Sequence, residues 1–268
     1  PRVSVSYDLT EELTGYASIG QGFKSGGWDM RGDAALVPST VNGYQPETVT
    51  TYELGLKGTA FDNRLSFASA AFYSDYTDQQ ITTQQVATLP AVGVASVVDN
   101  AGASTIYGFE FEGRAFITDS ITSNVSVGYL KNEFDQFITR ISGAPVDISN
   151  LREPQNSPEW SAFWGVTWTG DVAGGELNIT PSISYRSDYH LFDAPDPILD
   201  QDAYTLVDLA AIWIAPNGHY QVALTGKNLT DEEYKVGGYN FAGATFNNSI
   251  DAFYGPPRTW QVGLTYRY

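Results

Sequence analysis

The chain contains no cysteine, so disulfides, thiolate metal sites and cysteine nucleophiles are excluded together. Histidine is nearly as scarce. His190 and His219 are the only two, which removes most zinc sites and leaves little from which to build a His-based catalytic relay. Positive charge is also short, with 14 Lys and Arg against 31 Asp and Glu and a formal charge of −17. Such a chain repels phosphate backbones and offers no basic stripe, so no nucleic acid partner is expected. No window approaches the roughly 18 apolar residues of a membrane-spanning helix, and no charged-then-apolar leader opens the sequence, which begins at Pro1. Neither a resident metal nor a cofactor is expected.

Aromatic residues, by contrast, are plentiful: 6 Trp, 17 Tyr and 14 Phe, too many for an acidic disordered chain. They fall in a period of two. Trp260, Val262, Leu264, Tyr266 and Tyr268 alternate with Gln261, Gly263, Thr265 and Arg267, so a strand puts bulky apolar groups on one face and small or polar ones on the other. Leu177 to Tyr185, Trp160 to Trp168 and Val207 to Trp213 repeat the pattern, and no amphipathic helix of three turns competes with it. The alternation predicts eleven strands, near 2–9, 14–24, 48–60, 64–81, 104–117, 121–138, 158–170, 176–189, 203–215, 219–229 and 257–268.

The connections alternate too. Short ones, such as Phe61 to Asn63, Thr118 to Ser120 and the Asn217–Gly218 turn, separate long ones at Ser25 to Glu47, Thr82 to Ala103, Thr139 to Ser157, His190 to Asp202 and Thr230 to Pro256. Up-and-down outer-membrane barrels have short turns at one rim and long loops at the other, whereas a soluble sandwich has more uniform turns. Many of these strands also exceed the usual 5 or 6 residues of globular sheets and reach the ~9–11 needed to cross a bilayer at a tilt. The expected fold class is therefore all-β, an antiparallel up-and-down transmembrane β-barrel. Its small and polar face suits a wet or plugged lumen, and Tyr16, Tyr129, Trp160, Trp168, Tyr185 and Tyr268 fit interfacial girdles.

Several segments resemble, in order, the second half of TonB-dependent outer-membrane receptors: GFKSGGW (Gly22 to Trp28), QPETVTTYELGLKG (Gln45 to Gly58), AAFYSDYTDQQI (Ala70 to Ile81), GFEFEGRA (Gly108 to Ala115), KNLTDEEY (Lys227 to Tyr234) and GPPRTWQVGLTYRY (Gly255 to Tyr268). The resemblance implies the C-terminal half of a barrel of about 22 strands, closed by a plug domain that, like the TonB box, is expected to lie outside this chain. It implies a receptor of the Gram-negative outer membrane that captures a scarce solute at extracellular loops. A ferric siderophore is the first expectation, cobalamin or an oligosaccharide the others. Import would draw on the TonB energy-coupling complex. The terminal aromatics Tyr266 and Tyr268 resemble the signal read by the barrel assembly machinery, and the remaining partner is outer-membrane lipid.

The candidate ligand contacts are Trp28, Met30, Arg31 and Tyr44, which can stack on a planar ligand and pair with an anion, and His190 at the mouth of another long loop. Against them stands an ordered loop whose aromatics pack on their neighbours. Glu110, Glu112 and Arg114 share one strand face, expected to be the lumen, where they meet a plug or passing solute or form a polar cross-strand ladder. The Asp193, Asp196, Asp200 and Asp202 cluster offers oxygens to calcium but has no calcium-loop spacing, so a solvated acidic loop is expected. Asn228–Leu229–Thr230 matches a glycosylation acceptor that a bacterial barrel would not use. Two other functions stay open: an outer-membrane barrel hydrolase, for which only His190 is placed to serve an external site, and a soluble adhesin or lectin-like domain.

Overall fold

The computed structural model describes residues 1–30, 32–35, 37–87, 93–141, 144–241 and 249–268. Among the described residues fourteen strands run in order: β1 (Arg2–Asp8), β2 (Leu13–Lys24), β3 (Glu47–Ala60), β4 (Leu65–Ala87), β5 (Gly93–Phe116), β6 (Ile121–Ile141), β7 (Ala144–Asp147), β8 (Trp160–Val172), β9 (Gly175–Arg186), β10 (Tyr204–Ile214), β11 (Tyr220–Lys227), β12 (Lys235–Phe241), β13 (Ser249–Tyr254) and β14 (Thr259–Tyr266). Eleven of them form one continuous antiparallel path, β1-β2-β3-β4-β5-β6-β8-β9-β10-β11-β14, and these are the eleven expected from the alternation. The others decorate the loop end: β7 folds back on β6, and β12 pairs with β13 in a separate hairpin.

Register turns the alternation into two faces. Val5, Ala17, Leu54, Ala71, Phe109, Tyr129 and Trp160 stand opposite one another from β1 to β8. One residue along, Ser6, Tyr16, Gly55, Ala70, Glu110, Gly128, Ser161, Arg186 and Tyr204 do the same on the other side of the sheet. The first face is apolar and uncovered: Val5 is 65% exposed, Leu54 65%, Trp164 53% and Leu264 75%. On β8 this band runs from Trp160 to Trp168, which at ~3.3 Å per residue and a tilt of ~40° spans about 20 Å, most of the apolar height of an outer-membrane barrel.

Tyr16 departs from expectation. It lies on the polar face, not in an apolar girdle: its ring covers Gly55, where an added Cβ would sit 2.3 Å from a ring carbon, and its hydroxyl reaches the Glu53 carboxylate. An aromatic beside a bare glycine fills the gap in the wall, a packing demand that outweighs the general preference of tyrosine for membrane interfaces.

The span from Thr82 to Ala103, expected to be a loop, is instead mostly ladder. Thr82 pairs with Val98 and Val86 with Val94, while register shifts near Tyr76 and Gln79 bend the hairpin as it leaves the band. β-branched residues carry the pairing beyond the lipid-facing pattern, and Val97, 1% exposed, packs on Val37 of the preceding loop. Most buried apolar residues, Val37, Val97, Phe137, Tyr189, Leu191 and Leu199 among them, sit at this loop end. The wall buries little against itself and leaves its two faces to other media.

Direction adds a constraint. β1 and β14 both run from the long-loop end to the short-turn end, so they are parallel to each other and cannot pair as every other neighbour does. An antiparallel closure therefore takes an odd number of further strands between them. The expected outcome for these 268 residues alone in detergent is aggregation or misassembly through the open edges, seen by size-exclusion chromatography. A monodisperse, heat-resistant monomer is the contrary result.

Candidate functional site

Two groups of polar residues stand out, one at the loop end and one on the polar face. At the loop end, β6, the segment 153–160 and the segment 185–190 enclose a cavity of about 500 Å³. Its lining combines Trp160, Tyr185 and Tyr189 with Lys131, Asn132, Glu153, Glu159, Asp188 and His190. Lys131 Nζ binds Glu159 at 2.7 Å and lies 3.5 Å from Glu133, so the one lining ammonium is already neutralised and the cavity is net acidic. Asn132 donates to Ser157 Oγ at 3.4 Å, while its own buried Oδ1 has no hydrogen-bond partner among the described residues.

His190 is fixed twice. Its Nδ1 lies 2.9 Å from Asp200 Oδ2, and its carbonyl accepts from Asn156 N at 2.8 Å. Glu153 N donates to Asp193 O and Arg152 approaches Asp193 at 3.8 Å, its guanidinium over the Phe137 ring. The segments 152–157 and 187–193 are thus stitched together around the cavity. Below them Tyr189, Leu191 and Tyr204 form a small core with Phe192, Leu206 and Tyr234. Burial there pushes the Tyr189 hydroxyl up to about 12, with the neighbouring Tyr204 adding to the shift, and burial likewise raises Tyr234.

The aspartate cluster is structural. Asp196 caps the Ile198 amide and accepts from Asn240 at 2.5 Å, Asp200 holds His190, and Asp193 faces Arg152. No group of three or more metal-ligating side chains occurs among the described residues. The β12–β13 hairpin is pinned to the same loop: Lys235 Nζ donates to Ile198 O at 2.8 Å and Asp200 O at 2.5 Å, and Gly238 leaves room for the fully buried Leu199. Its outer side bears Tyr239, Phe241 and Phe253, with Tyr239 stacked on Phe241 at 5.4 Å. The hairpin falls in the Thr230 to Pro256 connection, whose Gly, Pro, Asn and Asp content reads as a loop; Tyr239 and Phe241, two residues apart, are the signal of a strand there.

Trp28 and Tyr44 belong to a different loop, rooted on the β4–β5 hairpin. Gly27 and Tyr44 exchange backbone hydrogen bonds, and Trp28 Nε1 donates to Val41 O at 3.2 Å. Gly43, at φ +67°, lies under the indole where any Cβ would collide with Gly27 O. Asp29 accepts from Val98 N, and the Gln45 carbonyl accepts from Gln80 and Asn100. Trp28 remains 70% exposed although its indole nitrogen is tied to Val41, and Met30 is wholly exposed. Arg31 lies outside the described residues. Trp28 and Tyr44 are thus brought together, whereas His190 belongs to the cavity described above.

Glu110, Glu112 and Arg114 do share one face of β5. They stand opposite Ala70, Ala68 and Ser66 on one side and Gly128, Ser126 and Asn124 on the other. The guanidinium of Arg114 lies over the Phe116 ring at 5.0 Å, and Glu112 and Arg114 line a groove of about 450 Å³. The carboxylates of Glu53 and Glu110 are both within electrostatic reach of Tyr16, so negative charge gathers on this stretch of the polar face. Tyr266 packs on Tyr220 at 5.1 Å and on Tyr268 at 6.3 Å, while His219 Nδ1 and Arg267 O lie 2.7 Å apart, closing the short-turn end of β11 and β14.

A family model described as TonB dependent receptor-like, beta-barrel, matches residues 1–229. The chain is 26% identical over 273 aligned residues to the metal-pseudopaline receptor CntO of Pseudomonas aeruginosa, a match that covers 100% of this chain and 33% of that protein. Among solved structures it is similar to the ferric yersiniabactin uptake receptor FyuA of Yersinia pestis, with a TM-score of 0.75 and 21% identity over 98% of this chain and 36% of the other. It is also similar to the siderophore receptor PiuA of Acinetobacter baumannii, with a TM-score of 0.73 and 21% identity over 100% of this chain and 35% of the other. The chain therefore spans about a third of the relatives it matches, and those relatives are receptors rather than enzymes.

Two residues test how the loop end is held. Asn228, 4% exposed at φ +51°, donates to Glu232 O and Pro256 O and accepts from Glu232 N, which leaves no free amide for a glycan. Asn228→Ala is expected to lower the stability of the Lys227 to Arg258 connection by about 1–3 kcal/mol, read as faster proteolysis there, with Asn228→Asp intermediate. Asp147 accepts from the Ser149 and Phe137 amides, which hold its carboxyl below the usual 3.8. A depressed carboxylate stabilises the fold above the unfolded value and stops doing so as pH falls through the folded one. Amide exchange at Phe137 and Ser149 is therefore expected to accelerate only below pH 3.8. Asp147→Asn should remove that pH dependence.

Proposed function

We propose, from the premise that this chain belongs to the TonB-dependent receptor β-barrel family, that it forms the C-terminal wall of an outer-membrane receptor importing a metal chelate, a ferric siderophore first among the choices. The observation that carries the reading is the two-sided sheet. A band with Leu54, Trp164 and Leu264 more than half exposed suits lipid, and the opposite face of Ser, Gly, Thr and charged groups suits a lumen. In water alone such a band would be an aggregation surface, which speaks against a soluble adhesin. The named ligands of CntO, FyuA and PiuA are metal chelates or siderophores, and that supports the choice of solute.

In this reading no bond is made or broken. The long loops are extracellular, and solute is captured between the exposed Trp28 and Met30 of one loop and the acidic, aromatic cavity of His190 in another. Trp28 contributes a stacking face, and Arg31 and Tyr44 are proposed to act beside it. The polar face looks into the lumen, where Glu110, Glu112 and Arg114 meet a plug domain carried elsewhere in the whole receptor. Small residues flanking those three on β4 and β6 leave room for such a partner, and the surplus of carboxylates favours arginine or lysine on its surface. Coupling to TonB runs through that plug, and Tyr266 and Tyr268 serve as the assembly signal.

Uptake of a radiolabelled metal chelate by cells carrying the whole receptor is the direct test. Import is expected to vanish when the receptor is deleted or the proton-motive force collapsed. Binding should weaken about tenfold for Trp28→Ala, the size of a contact near an interface hot spot. Glu110→Gln with Glu112→Gln should leave surface binding intact while slowing import. Import that persists without the receptor or without energy contradicts the reading.

A further inference from the structure

Two Asn–Gly pairs occur in the sequence, Asn42–Gly43 and Asn217–Gly218. Such a pair readily loses its side-chain ammonia, because glycine has no Cβ to keep its nitrogen away from the preceding carboxamide carbon. The two pairs differ in what restrains that reaction. In the turn between β10 and β11 the Gly218 amide donates to Ala215 O at 2.8 Å, and Asn217 Oδ1 accepts from the His219 amide at 3.0 Å. Both reacting groups are engaged. Asn42 ends the short 3₁₀ turn Pro38–Asn42, where the Gly43 amide reaches Thr40 O only at 3.4 Å. A hydrogen bond of that length holds its proton weakly. The Asn42 side chain is exposed and makes no hydrogen bond among the described residues.

The bond from Asn42 to Gly43 also lies between the two ties of the Trp28 loop. Before it, Val41 O accepts from Trp28 Nε1 at 3.2 Å. After it, Tyr44 N donates to Gly27 O at 2.8 Å and Gly27 N to Tyr44 O at 3.0 Å. Gly27 and Trp28 are consecutive, so the main-chain length from Val41 to Tyr44 decides whether both ties hold. Gly43 itself lies against the indole, where an added Cβ would sit 3.1 Å from ring atoms. There is no slack in this span.

We propose that Asn42 is a site of spontaneous modification that loosens the Trp28 loop. The Gly43 nitrogen attacks the Asn42 side-chain carbonyl carbon, the bond from that carbon to the amide nitrogen breaks, and ammonia leaves with the Gly43 amide proton. Water then opens the cyclic imide to aspartate or isoaspartate. Nothing is oxidised or reduced, and water is the one co-reactant. Either product replaces a neutral amide with a carboxylate. Isoaspartate does more, since its main chain passes through the side-chain methylene and gains one carbon between Val41 O and Tyr44 N. The ties to Val41 and to Tyr44 cannot then be kept together, and Trp28 loses one of its two anchors. Where Trp28 contacts solute, as proposed above, an ageing receptor holds solute less well; that consequence alone rests on the proposed function.

Peptide mapping of the intact receptor, aged in detergent at mildly alkaline pH, tests this. A mass gain of about 1 Da is expected at Asn42 roughly tenfold faster than at Asn217, the ratio that one hydrogen bond accounts for. In the isoaspartate-bearing fraction, amide exchange at Tyr44 should quicken by a similar factor. Asn42→Gln, whose longer side chain closes a ring less readily, should stay unmodified and keep the slow exchange. Freshly prepared Asn42→Asp, which carries the charge without the extra carbon, should keep it too. Equal conversion at both pairs, or conversion at Asn217 first, overturns the site. Conversion at Asn42 with Tyr44 exchange unchanged, or fast exchange already in fresh Asn42→Asp, overturns the loosening by backbone insertion. Neither readout involves solute, so a failure of the transport reading would leave both results standing.

Discussion

Hydrocarbon offers no hydrogen-bond partner to a backbone amide or carbonyl, and this one requirement shapes the sheet. Strands in the apolar band pair on both sides, so the chain runs up and down through eleven strands in an antiparallel ladder that lapses only between β8 and β9 around Pro181, which has no amide to donate. The pairing fixes two faces, and the faces fix the composition: aromatic and branched residues where Tyr129 and Trp160 meet lipid, small and polar ones where Ser126, Gly128 and Ser161 do not. The same requirement explains why the two outermost strands are the weak points. β1 and β14 run parallel to each other, so the wall is complete only when further strands of the barrel stand between them.

Above the apolar band the requirement lapses, because water or side chains can satisfy the backbone. The loop end is accordingly held in another way. Asn228, Gln80, Asn100 and Lys235 each send side-chain hydrogen bonds to backbone groups of distant segments. Only small apolar clusters, such as Tyr189 with Leu191 and Tyr204, assist them. A chain rich in Asp, Asn and Gly can build ordered loops this way without a large core, and the result is a rigid rim that still presents Trp28, Met30 and Tyr239 to solvent. Capture of a polar solute needs that combination of fixed backbone and exposed ring.

How much of this was legible in the sequence follows from the same division. Inside the band, lipid enforces a strict period of two, and the strand ends read from it fall within about four residues of the observed ones for nine of the eleven. The exceptions lie above it: β4 and β5 continue to Ala87 and from Gly93 because β-branched residues keep pairing where no lipid face exists to mark the pattern. β12 and β13 were hidden by Gly237 and Gly238, and Tyr16 was misread because its demand comes from Gly55 on the neighbouring strand, which a single-strand reading cannot see. Aspartates that read as a solvated acidic run engage a local turn amide and the side chains of Asn240, Arg152 and His190, since sequence spacing gives no hint of which distant side chains they meet. The motif KNLTDEEY marked family membership before its physical role was visible. Its Asn228 ties the start of the last long connection to the residues that lead into β14 through Pro256.

The central claim is that successive residues of one strand face different media. With no native cysteine in this chain, single cysteines can be placed along β5 from Thr105 to Arg114 of the intact receptor in bilayers and spin-labelled. Collision with oxygen, which concentrates in lipid, is expected to peak at 107, 109 and 111 and to fall at 108, 110 and 112, while a water-soluble nickel chelate is excluded from the first set. Equal collision rates at alternate positions, or maxima at 110 and 112, would contradict the assignment of the apolar face to lipid and of Glu110 and Glu112 to the lumen.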